Sequence, residues 1–140
     1  MKTAIAVAAA AMIAHGAPAS DVHDATPPQE TTTRIFERDL PNAPGKALVA
    51  VEVVYPPGGA SPSHTHAESS FIYAYVLSGA IVSAVDDEAP RVYRAGQSWH
   101  ELPGARHRVS RNASRTEPAR LLAIFVVNPG ERELSFPERE

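Results

Sequence analysis

The run Pro56-Pro57-Gly58-Gly59-Ala60-Ser61-Pro62-Ser63-His64-Thr65-His66 decides how this chain reads, because it sets two histidines one residue apart just before an aromatic stretch, Phe71 to Leu77. In extended backbone, residues two apart share a face about 6 to 7 Å from each other. Two imidazoles so placed can lean onto one ion at ~2.1 Å from each nitrogen, with Thr65 pointing away. Alone the pattern is weak, since histidine pairs in Ser/Thr-rich loops are common. Its weight rises with Pro103-Gly104-Ala105-Arg106-His107, which sets a third histidine just past a tight turn, entering another strand.

Working outward, short stretches rich in Val, Ile, Thr and Tyr alternate with Pro, Gly and Asn, which is the punctuation of an all-β domain. Strands are expected at Arg34–Arg38, Ala47–Tyr55, Phe71–Leu77, Ala80–Val85, Arg91–Tyr93, Ser98–Leu102, Arg106–Ser110 and Leu121–Val127. Turns fall at Pro41-Asn42, Pro56 to Gly59, Ser78-Gly79, Asp86-Asp87, Ala95-Gly96, Pro103-Gly104 and Asn128-Pro129-Gly130. Eight short strands in 140 residues suit one closed or double-sheet barrel. The 13 prolines argue against a helical bundle. A net charge of -3 with no dense basic run gives no footprint for a phosphate backbone, so nucleic acid is not an expected partner. The chain has no cysteine, which removes disulfides, thiolate zinc sites, iron-sulfur clusters and thiol nucleophiles and leaves any metal to nitrogen and oxygen ligands.

At the N-terminus, Met1-Lys2, the uncharged run Ala4 to Ala14 and the small residues Ala17-Pro18-Ala19 read as a secretory signal cut after Ala19. The apolar run is about half of the ~20 residues that span a bilayer, so no membrane span is expected. The implied organisation is a signal peptide over 1–19, a flexible lead-in over 20–40, a barrel over 41–129 and a charged, fraying tail over 130–140. His23 is read as a solvated histidine of the lead-in.

Gly58, His64, His66 and Gly79, followed in order by Gly96, Gly104, His107 and Asn112, resemble the two motifs of the cupin superfamily. The resemblance covers about Ala47 to Val127. It implies a double-stranded β-helix, or jelly-roll barrel, and a single divalent metal per subunit held by His64, His66 and His107. Three departures stand out. Leu102 occupies the place of the second motif's proline, and Asn112 comes one residue late. The metal-ligand glutamate of the first motif is missing, its place taken by Ser70 and Phe71. Glu68 is the nearest acid and a possible fourth ligand. Glu101, beside the second motif, is the other candidate, with a local hydrogen-bonding role as its blander reading.

Three neutral imidazoles without a carboxylate leave a divalent ion its full charge, which favours chelation of an anion. Fe, Mn, Zn, Ni and Cu all suit the same histidines. His100, Glu101 and Tyr73 are the candidate acid-base groups, and Arg106 or Arg108 could hold a substrate carboxylate at the barrel mouth. Phe71, Tyr73 and Tyr75 share one strand face and Ile72, Ala74 and Val76 the other, while Trp99 and His100 take opposite faces. The expected function is that of an exported mononuclear metalloenzyme, of dioxygenase or hydrolase/isomerase type, acting on a small anionic molecule. The alternative is a non-catalytic module that binds a metal or small ligand for sensing, storage or delivery. A homodimer is expected from the resemblance, since barrel edges of this kind often pair between subunits.

Overall fold

A computed structural model of the chain describes residues 26–138. The signal-peptide reading of 1–19 and His23 lie outside the described residues. Among the described residues, eleven strands run in the order β1 (Thr31–Asp39), β2 (Ala47–Tyr55), β3 (Ala60–Ser61), β4 (His64–His66), β5 (Phe71–Ser78), β6 (Ala80–Val85), β7 (Arg91–Arg94), β8 (Ser98–Glu101), β9 (Arg106–Asn112), β10 (Ala119–Val127) and β11 (Ser135–Pro137). All pairings are antiparallel. One sheet has the order β1-β2-β10-β5-β8, and the other β11-β4-β9-β6-β7 with β3 also on β9. Among the described residues no helix is long and apolar enough to cross a membrane.

The core follows from period two. Val49, Val51, Val53 and Tyr55 of β2, Ile72, Ala74 and Val76 of β5, and Leu121, Ala123, Phe125 and Val127 of β10 all turn inward. Ile81 and Trp99 close the cluster from β6 and β8. The β5–β6 hairpin depends on Gly79, whose φ of +71° is left-handed and whose missing Cβ would sit 2.8 Å from the Pro118 carbonyl. Asn112 fastens the loops beneath: its amide donates to the carbonyls of Pro56 (3.0 Å) and Glu117 (2.7 Å), and its Oδ1 accepts from the Ser114 amide (2.8 Å).

Two segments are more extensively structured than expected. The strand expected at Arg34–Arg38, inside the stretch read as a lead-in, runs over Thr31–Asp39 as β1, paired with β2 from Thr31 opposite Val54 to Asp39 opposite Ala47. Every residue of β1 is exposed, so main-chain bonds hold it and no apolar alternation announces it. Residues 135–137 of the tail form β11, which pairs with β4 from Ser135 opposite His66 to Pro137 opposite His64. Glu138 anchors that tail by accepting from Arg106 Nη2 (2.7 Å) and from the Ser63 hydroxyl (2.8 Å).

Candidate metal centre

β4 and β9 bring the histidines together. His64 is the direct cross-strand partner of His107, and the His66 amide donates to the Ala105 carbonyl (2.9 Å) at the end of the same ladder. The turn before β9 needs Gly104, whose φ is +73° and whose Cβ would stand 3.2 Å from the Glu68 carboxylate. Ring centroids are 4.8 Å apart for His64–His66, 5.2 Å for His64–His107 and 6.0 Å for His66–His107. One nitrogen from each lies within 4.8 Å of the others, so small side-chain rotations bring all three onto one ion.

Outer contacts decide which nitrogens are free. His64 Nδ1–H donates to the Pro62 carbonyl (2.8 Å) and His66 Nδ1–H to the Leu134 carbonyl (3.1 Å). A carbonyl only accepts, so in both neutral rings Nε2 keeps its lone pair. Ser83 Oγ lies 2.9 Å from His107 Nε2; with that nitrogen donating to the hydroxyl, Nδ1 is left open on the other side. Such carbonyl and hydroxyl partners are what orient imidazoles around a metal.

The fourth group is Glu101. Only 2% exposed, it accepts from Trp99 Nε1 (3.0 Å) and places Oε2 3.1 Å from His66 Nε2 and Oε1 3.4 Å from His107 Nδ1. With both His66 and Glu101 in their ordinary neutral and ionised forms, two lone pairs meet across 3.1 Å, and Oε2 has no hydrogen bond among the described residues. A proton on His66 or a cation between the two would satisfy them. Burial alone would raise the Glu101 carboxyl, but a hydrogen bond from a protonated His66, the charge His107 carries when protonated and the Trp99 N–H outweigh it and hold it below its usual range. Burial pushes His64 down, helped by the His66 charge, and pushes His107 down to about 4. These donors therefore stay neutral and ready to ligate at mildly acidic pH.

The donor set of three imidazoles and one buried carboxylate fits a divalent first-row ion. With the first motif's glutamate missing, the carboxylate that stands beside the histidines comes from β8. The sequence contained a signal for this: Trp99 and Glu101 are two apart, so an inward Trp99 implies an inward Glu101. Glu68 is exposed against Gly104 and stands apart from the cluster. Because Glu101 adds a negative charge beside the histidines, a divalent ion would not keep its full charge there, and the expected preference for an anion weakens.

The remaining candidates point elsewhere. Tyr73 and His100 are cross-strand partners on the outer face of the five-stranded sheet, with His100 stacked on Phe71 at 5.9 Å. Arg106 is taken by Glu138, and Arg108 donates to the carbonyls of Asp86 and Glu88 outside the barrel.

A cavity of about 330 Å³ opens from the histidines, walled by Val51, Ile72, Leu121 and Phe125 and capped by β1 and the tail. This volume is at the lower end of the range for small-molecule sites.

A β-sandwich barrel with inward histidines on two adjacent strands defines a class, and the sequence profile of the cupin domain matches residues 51–125. The chain belongs to the cupin family. It is similar in structure to the Thermus thermophilus protein TT1209, with 26% identity, a TM-score of 0.57, and coverage of 72% of this chain and 86% of that one. It is also similar to the DMSP lyase DddQ of Ruegeria pomeroyi, with 23% identity, a TM-score of 0.53, and coverage of 66% and 45%. The oxalate decarboxylase of Lactobacillus farciminis, solved with formate, has 24% identity and a TM-score of 0.54 over 64% of this chain and 26% of that one. No curated protein matches the sequence.

Proposed function

We propose that the protein binds one divalent metal ion per subunit through His64, His66, His107 and Glu101, and that it acts as a mononuclear metalloenzyme on a small molecule held in the adjoining cavity. The observation that carries this is the orphaned Glu101 oxygen facing His66 Nε2 beside the three clustered histidines. When bound, the metal supplies Lewis acidity and open positions for a chelating oxygen. The chain supplies the rest: Val51, Ile72 and Phe125 exclude water, and the carbonyls of Pro62 and Leu134 hold the rings in place. Glu101, in contact with the metal ligands, is also the one sequence-predicted acid-base group inside the cavity. Metal analysis of residues 20–140, purified without chelator or affinity histidines, tests the reading against a His64→Ala/His107→Ala control. One equivalent of metal in the first and none in the second is expected; no metal in either after incubation with divalent ions overturns it. Turnover then separates an enzyme from a binding module.

The same proposal includes export, with cleavage after Ala19, tested by N-terminal sequencing of the processed protein. It includes a homodimer through the outer face of the five-stranded sheet, where Phe36, Ala50, Ile124, Tyr73 and His100 form one cross-strand row. Phe36 and Tyr73 are large exposed hydrophobic residues in that row, and an apolar outer face of this kind supports an interface.

A further inference from the structure

The cavity has a second polar region that the metal reading does not use. Glu30, Thr32 and Arg34 lie two apart where the chain enters β1 and all line it, as do Tyr55, Ser61 and Ser110. The Tyr55 hydroxyl is linked to Ser110 Oγ at 2.6 Å and to Ser61 Oγ at 3.0 Å. Three hydroxyls joined by two hydrogen bonds use two of their three protons, whichever way the bonds run. One O–H is therefore always left to donate. Glu30 lines the same cavity, and its Oε2 is buried without a hydrogen-bond partner among the described residues. Arg34 does not quench it, since its guanidinium donates to Glu37 and to the carbonyls of Glu131 and Arg132.

A cavity that offers both a spare donor and an orphaned carboxylate oxygen is matched by a group that both donates and accepts, which is an alcohol. A carboxylate offers no proton to Glu30 and adds a like charge in a confined space. We propose that Glu30 with the Tyr55–Ser61–Ser110 hydroxyl network forms a subsite that receives a hydroxyl group of the bound molecule and rejects a carboxylate. The cavity then takes a hydroxylated small molecule whose metal-facing end chelates, and it excludes small dicarboxylates. This deepens the functional reading above and rests on the cavity being a small-molecule site.

The test uses two four-carbon probes, erythritol and succinate, titrated into the protein with and without zinc while backbone amide NMR shifts are followed. Erythritol is expected to move the amides of Thr32, Ser61 and Ser110 and to bind roughly tenfold more tightly than succinate. Glu30→Gln, just before an edge strand, keeps shape and removes the charge; it should narrow that gap to within about threefold. Tyr55→Phe should weaken erythritol and leave succinate unchanged. Succinate binding as tightly as erythritol, a gap unaltered in Glu30→Gln, or no movement of those amides with either probe overturns the subsite. Zinc stoichiometry is measured on the same samples. A preserved gap without zinc binding removes the metal reading alone, and zinc binding without a gap removes the subsite alone.

Discussion

Strands β5 and β8 present two rows, one residue out of phase, that have opposite fates. Ile72 and Glu101 form a cross-strand pair whose row continues inward through Phe125 and Val49. Tyr73 and His100, the very next pair, look outward with Ile124. Glu101 is 2% exposed and Tyr73 41%. On chemical type alone, histidine and tyrosine were the equals of glutamate as acid-base candidates. The pleat, not reactivity, put one group beside the three histidines and two on the surface.

The sharpest way to break that comparison is to remove the inner row's targets. His64→Ala with His107→Ala should lower metal affinity by at least about a thousandfold, read by metal analysis and by competition with a chromophoric chelator, because each lost imidazole removes a bond that nothing else supplies. If zinc stays bound at full stoichiometry, the centre lies elsewhere.

Acid should separate the two faces next. His107 titrates near 4 in the folded protein, against about 6.5 unfolded, so between those values the unfolded chain binds a proton that the folded one refuses. In metal-free protein, stability should be complete above pH about 6.5 and fall by on the order of 3 kcal/mol as pH drops toward 4, by urea unfolding. The lowered values of His64 and, further down, Glu101 act in the same direction. A flat profile over that window would mean that the cluster is not buried as described.

Glu101→Gln keeps size and the Trp99 contact while removing the charge, and should weaken metal binding about 10- to 100-fold by the same competition assay. Glu68→Gln should leave it unchanged, and the reverse result would restore the acid nearest in sequence. The smallest effects belong to the outer row. His100→Ala and Tyr73→Phe should each shift stability by less than about 0.5 kcal/mol and leave metal affinity untouched. Tyr73→Glu should shift any dimer toward monomer, seen by light scattering; a dimer that ignores it uses another face.

Much of the fold was legible because alternating Val, Ile and Tyr and the Gly-Pro punctuation report directly on pleat and turn. β2 and β6 match their expected bounds, and β10 begins only two residues earlier than expected. β1 and β11 were not legible in full, since exposed strands held by main-chain bonds carry no apolar period. Yet both wall the cavity, and the residue just before β11 supplies the Leu134 carbonyl that orients His66. In the site, the three histidines were readable from two short motifs. The position of Glu101 was half-readable, through its phase with Trp99, and the distance between Glu101 and His66 was not.

By itself, then, the sequence determined what is local: period two, left-handed glycine turns, and nitrogen donors at set spacing in a chain without cysteine. Only the tertiary structure decided which acid stands beside the histidines and which oxygens face the cavity. His66 and Glu101 are 35 residues apart along the chain, and their 3.1 Å approach arises from the closure of two sheets, a long-range packing event that no local pattern encodes.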